Sequence, residues 1–198
     1  MTISKYLKYY ILIILFFSCF SLARAGFEVS EVMYDASGTD DGHEWVEVEN
    51  TGSLSDDLSK WYLFTDNSKH ALVPQGQAVV PAYGYAVIAQ NPAKFKSDYP
   101  NFSGILYDSS WTDFNNTNET IGLKDPVLTL ADSMTVNSSM GATGDGNSLQ
   151  KIDGVFIGSI PTPGLANVKS TPIVVAEPLV AESVPIKTLK KSKFTKSS

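Results

Sequence analysis

Four carboxylates crowd one stretch near the start of the chain: Asp35, Asp40, Asp41 and Glu44. Hard oxygen ligands gathered in this way suit calcium. The spacing is not that of an EF-hand loop. The intervening Ser, Gly and Thr residues also serve turn chemistry in a solvated acidic loop. A calcium site and a plain acidic turn are both compatible with this stretch. Acid–base or nucleophilic catalysis finds less support. His43 and His70 are the only histidines. A triad needs a histidine, a nucleophile and an orienting carboxylate, and no Gly-x-Ser-x-Gly elbow occurs. The single cysteine, Cys19, lies in the leader described below. Once that leader is removed, thiol catalysis, cysteine-based metal sites and disulfides are excluded. A second candidate constellation is aromatic: Trp45, Trp61, Tyr62, Phe64, Tyr83, Tyr85 and Trp111. Such residues either stack on sugars from one sheet face or pack a core.

The carboxylate cluster leads straight into the most ordered pattern in the chain. Residues 44–52 read Glu-Trp-Val-Glu-Val-Glu-Asn-Thr-Gly. Val46 and Val48 alternate with Glu47 and Glu49, which predicts a half-buried strand with the valines on the core and the glutamates in solvent. Asn-Thr-Gly ends it in a turn. Residues 27–33 predict a preceding strand. Residues 58–64 carry Trp61, Tyr62, Leu63 and Phe64, a bulky run suited to a strand, and Asp66-Asn67 suits the tight bend after it. Short apolar runs at 71–73, 78–80, 83–89 and 104–107 are punctuated by Pro and Gly, as in a sandwich or barrel. Asn91-Pro92 predicts a short capped helix. Residues 120–123 and 127–136 predict a hairpin, residues 148–152 a last strand, and residues 158–167 a closing coil.

The termini differ from this body. Residues 1–25 read as a secretory signal peptide: Lys5 and Lys8, an apolar run over 11–20, then Ala23-Arg24-Ala25, with cleavage after Ala25. An uncleaved anchor would need about 20 apolar residues; lipidation at Cys19 would need a better lipobox than Phe16-Phe17-Ser18. Residues 169–198 are rich in Pro, Val, Lys and Ser and predict a disordered tail. Its lysines between 187 and 196 are either solvated or directed at anionic envelope polymers or lipid headgroups. Between the termini, residues 26–168 hold six lysines against nineteen Asp and Glu, a formal −13. That charge disfavours nucleic acid.

Four blocks, in order, resemble the lamin-tail domain family in its bacterial secreted branch. They are Val29-Ser-Glu-Val-Met-Tyr34 with Gly42 to Gly52; Asp57-Leu-Ser-Lys-Trp-Tyr-Leu63; Asn116-Thr-Asn-Glu-Thr-Ile-Gly-Leu-Lys-Asp125; and Gly146 to Lys151 followed by Pro161-Thr-Pro-Gly-Leu-Ala-Asn167. Lys60 and Asn118 stand where the family usually has Gly, and Lys151 where it often has Arg. The resemblance implies an all-β, immunoglobulin-like β-sandwich over residues 26–168. It also implies a secreted, non-catalytic module for binding or adhesion at the cell envelope, with a surface protein or glycan as partner. An accessory role to an extracellular hydrolase is a further implication of the resemblance, and the unpaired edges of any such sheet offer another role, self-association. Relatives also suggest chromatin binding, against which the −13 body argues.

Overall fold

A computed structural model describes residues 26–168. The expected signal peptide and tail fall outside the described residues. A seven-stranded sheet faces a four-stranded one, and a third, two-stranded ribbon lies beside them. The large sheet contains β1 (Phe27–Met33), β2 (Trp45–Asn50), β6 (Val73–Pro74), β8 (Tyr85–Ala89), β9 (Ile105–Asp108), β12 (Ser148–Ile152) and β13 (Val155–Ser159), in the order β13-β12-β1-β2-β8-β9-β6. The small sheet runs β11 (Leu130–Asn137), β10 (Asn118–Lys124), β4 (Tyr62–Thr65), β5 (Ser68–Ala71). β3 (Asp56–Asp57) and β7 (Val79–Val80) form the ribbon.

The predicted alternation of β2 places Val46 and Val48 in the core between the sheets, with Val29, Val32 and Ile88 from the large sheet and Leu63, Ile121 and Leu123 from the small one. Each such aliphatic side chain removed from water contributes about 2 kcal/mol. This packing substitutes for cross-links, since the described residues contain no cysteine. The architecture is the expected all-β, immunoglobulin-like sandwich.

The other half of the β2 expectation fails. Glu47 is fully buried and Glu49 half-buried. The reason is a third layer. Helix α1 (Pro92–Asp98), capped by Asn91 Oδ1 accepting from Ala93 N at 3.0 Å and Lys94 N at 3.2 Å, lies on the outer face of the large sheet. Its Phe95, with Tyr99 and Phe102, encloses Trp45, Val87, Ala89 and Leu106 in a second small core. Trp45 meets Phe95 and Tyr99 edge-on at 5.9 and 5.7 Å. Over Glu31 and Glu47 that face is covered by residues 161–167.

Three boundaries also move. Residues 148–152 are not the last strand: β13 follows through the two-residue turn Asp153-Gly154, both with positive φ (52° and 79°), the geometry of a tight hairpin. The closing coil therefore begins after Ser159 rather than at Gly158. Residues 58–60 form a 3-10 turn capped by Asp57, so the strand begins only at Tyr62. β11 begins at Leu130, because Asp125 Oδ1 accepts from Val127 N (3.0 Å) and Thr129 N (2.8 Å) and holds 125–129 as a loop. Asp66-Asn67 forms the expected tight bend, with φ of 49° and 56°.

Candidate functional site

The strand register gives the sandwich two unlike poles. At one, β1 begins and β2 ends, since Phe27 pairs with Asn50. At the other, Met33 pairs with Trp45, and the loop between them carries the acidic cluster.

The first pole is organised by Asn50, which is fully buried. Its Nδ2 donates to the carbonyls of Leu54 (2.9 Å), Val80 (3.1 Å) and Pro81 (3.0 Å), and its own carbonyl accepts from Tyr83 N at 2.8 Å. One side chain thus fixes two loops, and those loops carry the exposed Leu54, Val79 and Tyr83. On the small sheet at the same pole, the β10–β11 hairpin exposes Val127 (79%), Leu128 and Leu130. A cleft of about 420 Å3 opens at this pole, lined by Phe27, Thr51, Trp61, Asp125 and Leu130 among others. Phe27 and Trp61 meet edge-on at 5.0 Å and are both buried, so they form its apolar floor. Tyr83 and Leu128 sit at φ of 57° and 67°. Left-handed backbone costs a non-glycine residue about 1 kcal/mol or more. Both residues on this strained backbone carry exposed side chains.

At the acidic pole the four predicted calcium ligands have separate tasks. Asp40 Oδ1 accepts from Ala36 N (2.8 Å) and its Oδ2 from Asn116 Nδ2 (2.9 Å). Asp41 turns outward to Lys94 Nζ at 3.2 Å. Glu44 is buried, its Oε2 accepting from Trp111 Nε1 and its Oε1 from Phe114 N, both at 2.8 Å. Asp35 stands apart from these bonds, and burial, then the charges of Asp40 and Asp145, raises its pKa. Among the described residues, no group of three or more His, Cys, Asp or Glu is disposed to hold a metal ion.

His43 Nδ1 lies 2.7 Å from Asp98 Oδ2, and Ser37 lines the same 220 Å3 recess. The His43–Asp98 pair ties the acidic loop to α1, and no hydrogen bond joins Ser37 to His43 among the described residues. His70 lies apart on β5. The aromatic constellation is dispersed. Trp45, Trp61 and Trp111 are buried, Lys69 and Lys124 lie over Tyr62 and Phe64, and Tyr83 is the one fully exposed ring of the seven.

Sequence reasoning missed the buried carboxylates of the large sheet. Glu31 Oε1 accepts from Ser148 Oγ, Gln150 Nε2 (3.3 Å) and Thr162 N (3.0 Å), and its Oε2 accepts from Thr162 Oγ1 (3.1 Å). Glu47 Oε1 accepts from Ser30 Oγ (2.7 Å) and Oε2 from Gly164 N (2.5 Å). No basic group pairs with Glu31, Glu44 or Glu47 among the described residues. Burial raises the Glu31 carboxyl above its ordinary range despite its donors. Burial pushes Glu47 up to about 8 against the pull of Ser30, with the Glu31 charge adding to the rise. Burial likewise pushes Glu44 up to about 8, opposed by the Trp111 and Phe114 donors. The one sequence signal for these roles was the donor-rich Thr162-Pro-Gly164 segment, whose partners lie more than a hundred residues away.

No curated protein matches this chain. The model of the Lamin Tail Domain matches residues 22–138, more than half of the chain and all of the elements from β1 to β11. With the sandwich and its strand order, this match shows that the chain belongs to the lamin tail domain family.

Proposed function

We propose that this chain is a secreted, non-catalytic β-sandwich module that binds a protein at the cell envelope through the pole bearing Leu54, Tyr83, Val127, Leu128 and Leu130. The single observation that carries the reading is that apolar pole. Exposed apolar side chains at one pole, with Leu130 at the cleft and Tyr83 and Leu128 on strained backbone, mark a contact surface rather than a folding requirement. Aliphatic groups with one exposed tyrosine suit a protein partner better than a glycan, which is gripped by rows of exposed rings. Conversely, the carboxylates that would serve catalysis are tied into the fold. The expected signal peptide supports export. The test compares the mature wild type with a Val127→Asp/Leu128→Asp variant for binding to the envelope fraction of its own cells. Saturable binding that the variant loses supports the reading. Equal retention of both, or no saturable binding, overturns it.

A second reading is self-association through β13. Its sequence, Val155-Phe-Ile-Gly-Ser, is an uncharged sheet edge with Val155 exposed. The other edges of the two main sheets carry Pro74 on β6, Lys69 on β5 and Asp132 on β11. Sedimentation decides it: a monomer at high concentration excludes this reading.

A further inference from the structure

The segment at 161–167 is held in an unusual way. Its own apolar residue Leu165 points outward, as does the neighbouring Ile160. Its attachments are almost all hydrogen bonds donated to groups on the outer face of the large sheet. Thr162 N and Oγ1 donate to Glu31. Gly164 N donates to Glu47, and Asn167 Nδ2 to the carbonyls of Ser30 (2.8 Å) and Lys151 (3.2 Å). Gln150 Nε2, from beneath, donates to the Ile160 carbonyl (2.7 Å) and Thr162 Oγ1 (2.9 Å). At Gly164 the chain turns at φ +82° with its Cα so close to Phe102 that a Cβ would lie 2.9 Å from the ring. The segment is therefore a strap laid over two carboxyls that have no cationic partner.

We propose that this strap is a pH-operated latch, closed while Glu47 keeps its proton and opened when the proton is lost, so that the Glu31–Glu47 face of the sheet is uncovered. The physical basis is the difference between the two states. Closed, the strap and α1 exclude water from Glu47, whose Oε2 has a single backbone donor. Open, water solvates the carboxylate. A buried charge with so few donors is costly. The groups around it oppose ionisation as well. Glu31 on β1 and Glu49 on β2 add negative charge. Tyr85 on β8 and Tyr99 after α1 are neutral, with burial raising both, Tyr99 to about 12. Ser30, Ser148, Gln150 and Thr162 supply only neutral dipoles. Lys151 on β12, the one cation nearby in sequence to Gln150, is engaged with Glu28 at 2.9 Å and Asp132 at 3.9 Å.

The sign follows from linkage. Glu47 has a raised carboxyl when the latch is closed and an ordinary one when it is open. The closed state is fully favoured below the ordinary carboxyl range and is lost progressively as pH rises toward 8. The opening equilibrium should increase about tenfold per pH unit for each carboxyl that ionises, and level off above that value.

Hydrogen exchange of the mature full chain between pH 6 and 9 tests this, with protection factors measured at the Thr162 and Gly164 amides and at Val48 and Leu123 in the core. The expected result is that strap protection falls about tenfold per pH unit up to about pH 8 and lies well below core protection at every pH. Glu47→Gln, which keeps the acceptor and removes the titration, should flatten the strap profile. Thr162→Val should lower strap protection at every pH without flattening it. A pH-independent strap in the wild type overturns the proposal, whether or not Glu47→Gln folds. So does strap protection equal to core protection at every pH, because that is global unfolding, and so does an unchanged slope in Glu47→Gln.

Discussion

The two poles of the sandwich use their side chains in opposite ways. At the acidic pole, Asp40 and Glu44 each hold neighbouring backbone or ring donors, and Asp41 is paired with Lys94. At the other pole, Val127, Leu128, Tyr83 and Leu54 face water, although Asn50 and Asp125 fix the loops beneath them. Charge draws attention to the first pole and apolarity to the second. Charged groups that are already satisfied make structure, whereas apolar groups left in water are available for contact.

The sharpest way to break this contrast is to remove Glu44. Glu44→Ala leaves the Trp111 indole and the Phe114 amide without their acceptor, at about 1–3 kcal/mol each. Thermal denaturation should show a loss of several kcal/mol, about 3, whereas removing a solvated loop carboxylate would cost almost nothing. The second effect is on pH dependence. Because Glu44 and Glu47 are both raised to about 8 by burial, folding stability should fall as pH rises from the ordinary carboxyl range toward 8, by about 1.4 kcal/mol per unit for each group. Denaturant titrations at pH 5, 6.5 and 8 check this, and Glu44→Gln should remove roughly half the slope. Smaller still is the effect of the apolar pole on folding. Val127→Asp/Leu128→Asp should shift stability by only about 0.5 kcal/mol, as surface changes do. Leu128→Gly should be neutral or slightly stabilising by relieving the positive φ. The smallest expected effect is that of calcium. Melting curves with millimolar-range calcium and with chelator should coincide, because Asp40, Asp41 and Glu44 are already engaged; a raised melting temperature with calcium would favour the calcium site instead.

Much of the scaffold was legible in the residues. Val46 and Val48 announced their strand and their face, Asn91-Pro92 announced a capped helix, and Asp66-Asn67 a tight bend. Glu47 was not legible, for a physical reason. Period-two alternation reads the same whether the polar side of a strand meets water or a second covering layer, and the cover here is α1 with a strap from the far end of the chain. The burial of Glu44 was hidden in the same way, since Trp111 and Phe114 cover it from a loop about seventy residues away, which no local spacing encodes. The apolar pole was hidden because Leu54, Tyr83 and Val127 are scattered in sequence and come to the same end of the sandwich only through strand register. Asp153-Gly154 did carry a hairpin signal, and with the strand-prone Val155-Phe-Ile after it, β13 could have been read.

The most direct test of the account is a binding isotherm for three forms of the mature chain on the same envelope fraction: wild type, Val127→Asp/Leu128→Asp at the apolar pole, and Asp35→Asn/Asp41→Asn at the acidic pole. The account predicts that the apolar-pole variant loses affinity by about tenfold or more, while the acidic-pole variant binds as the wild type does. Loss confined to the acidic-pole variant would contradict it.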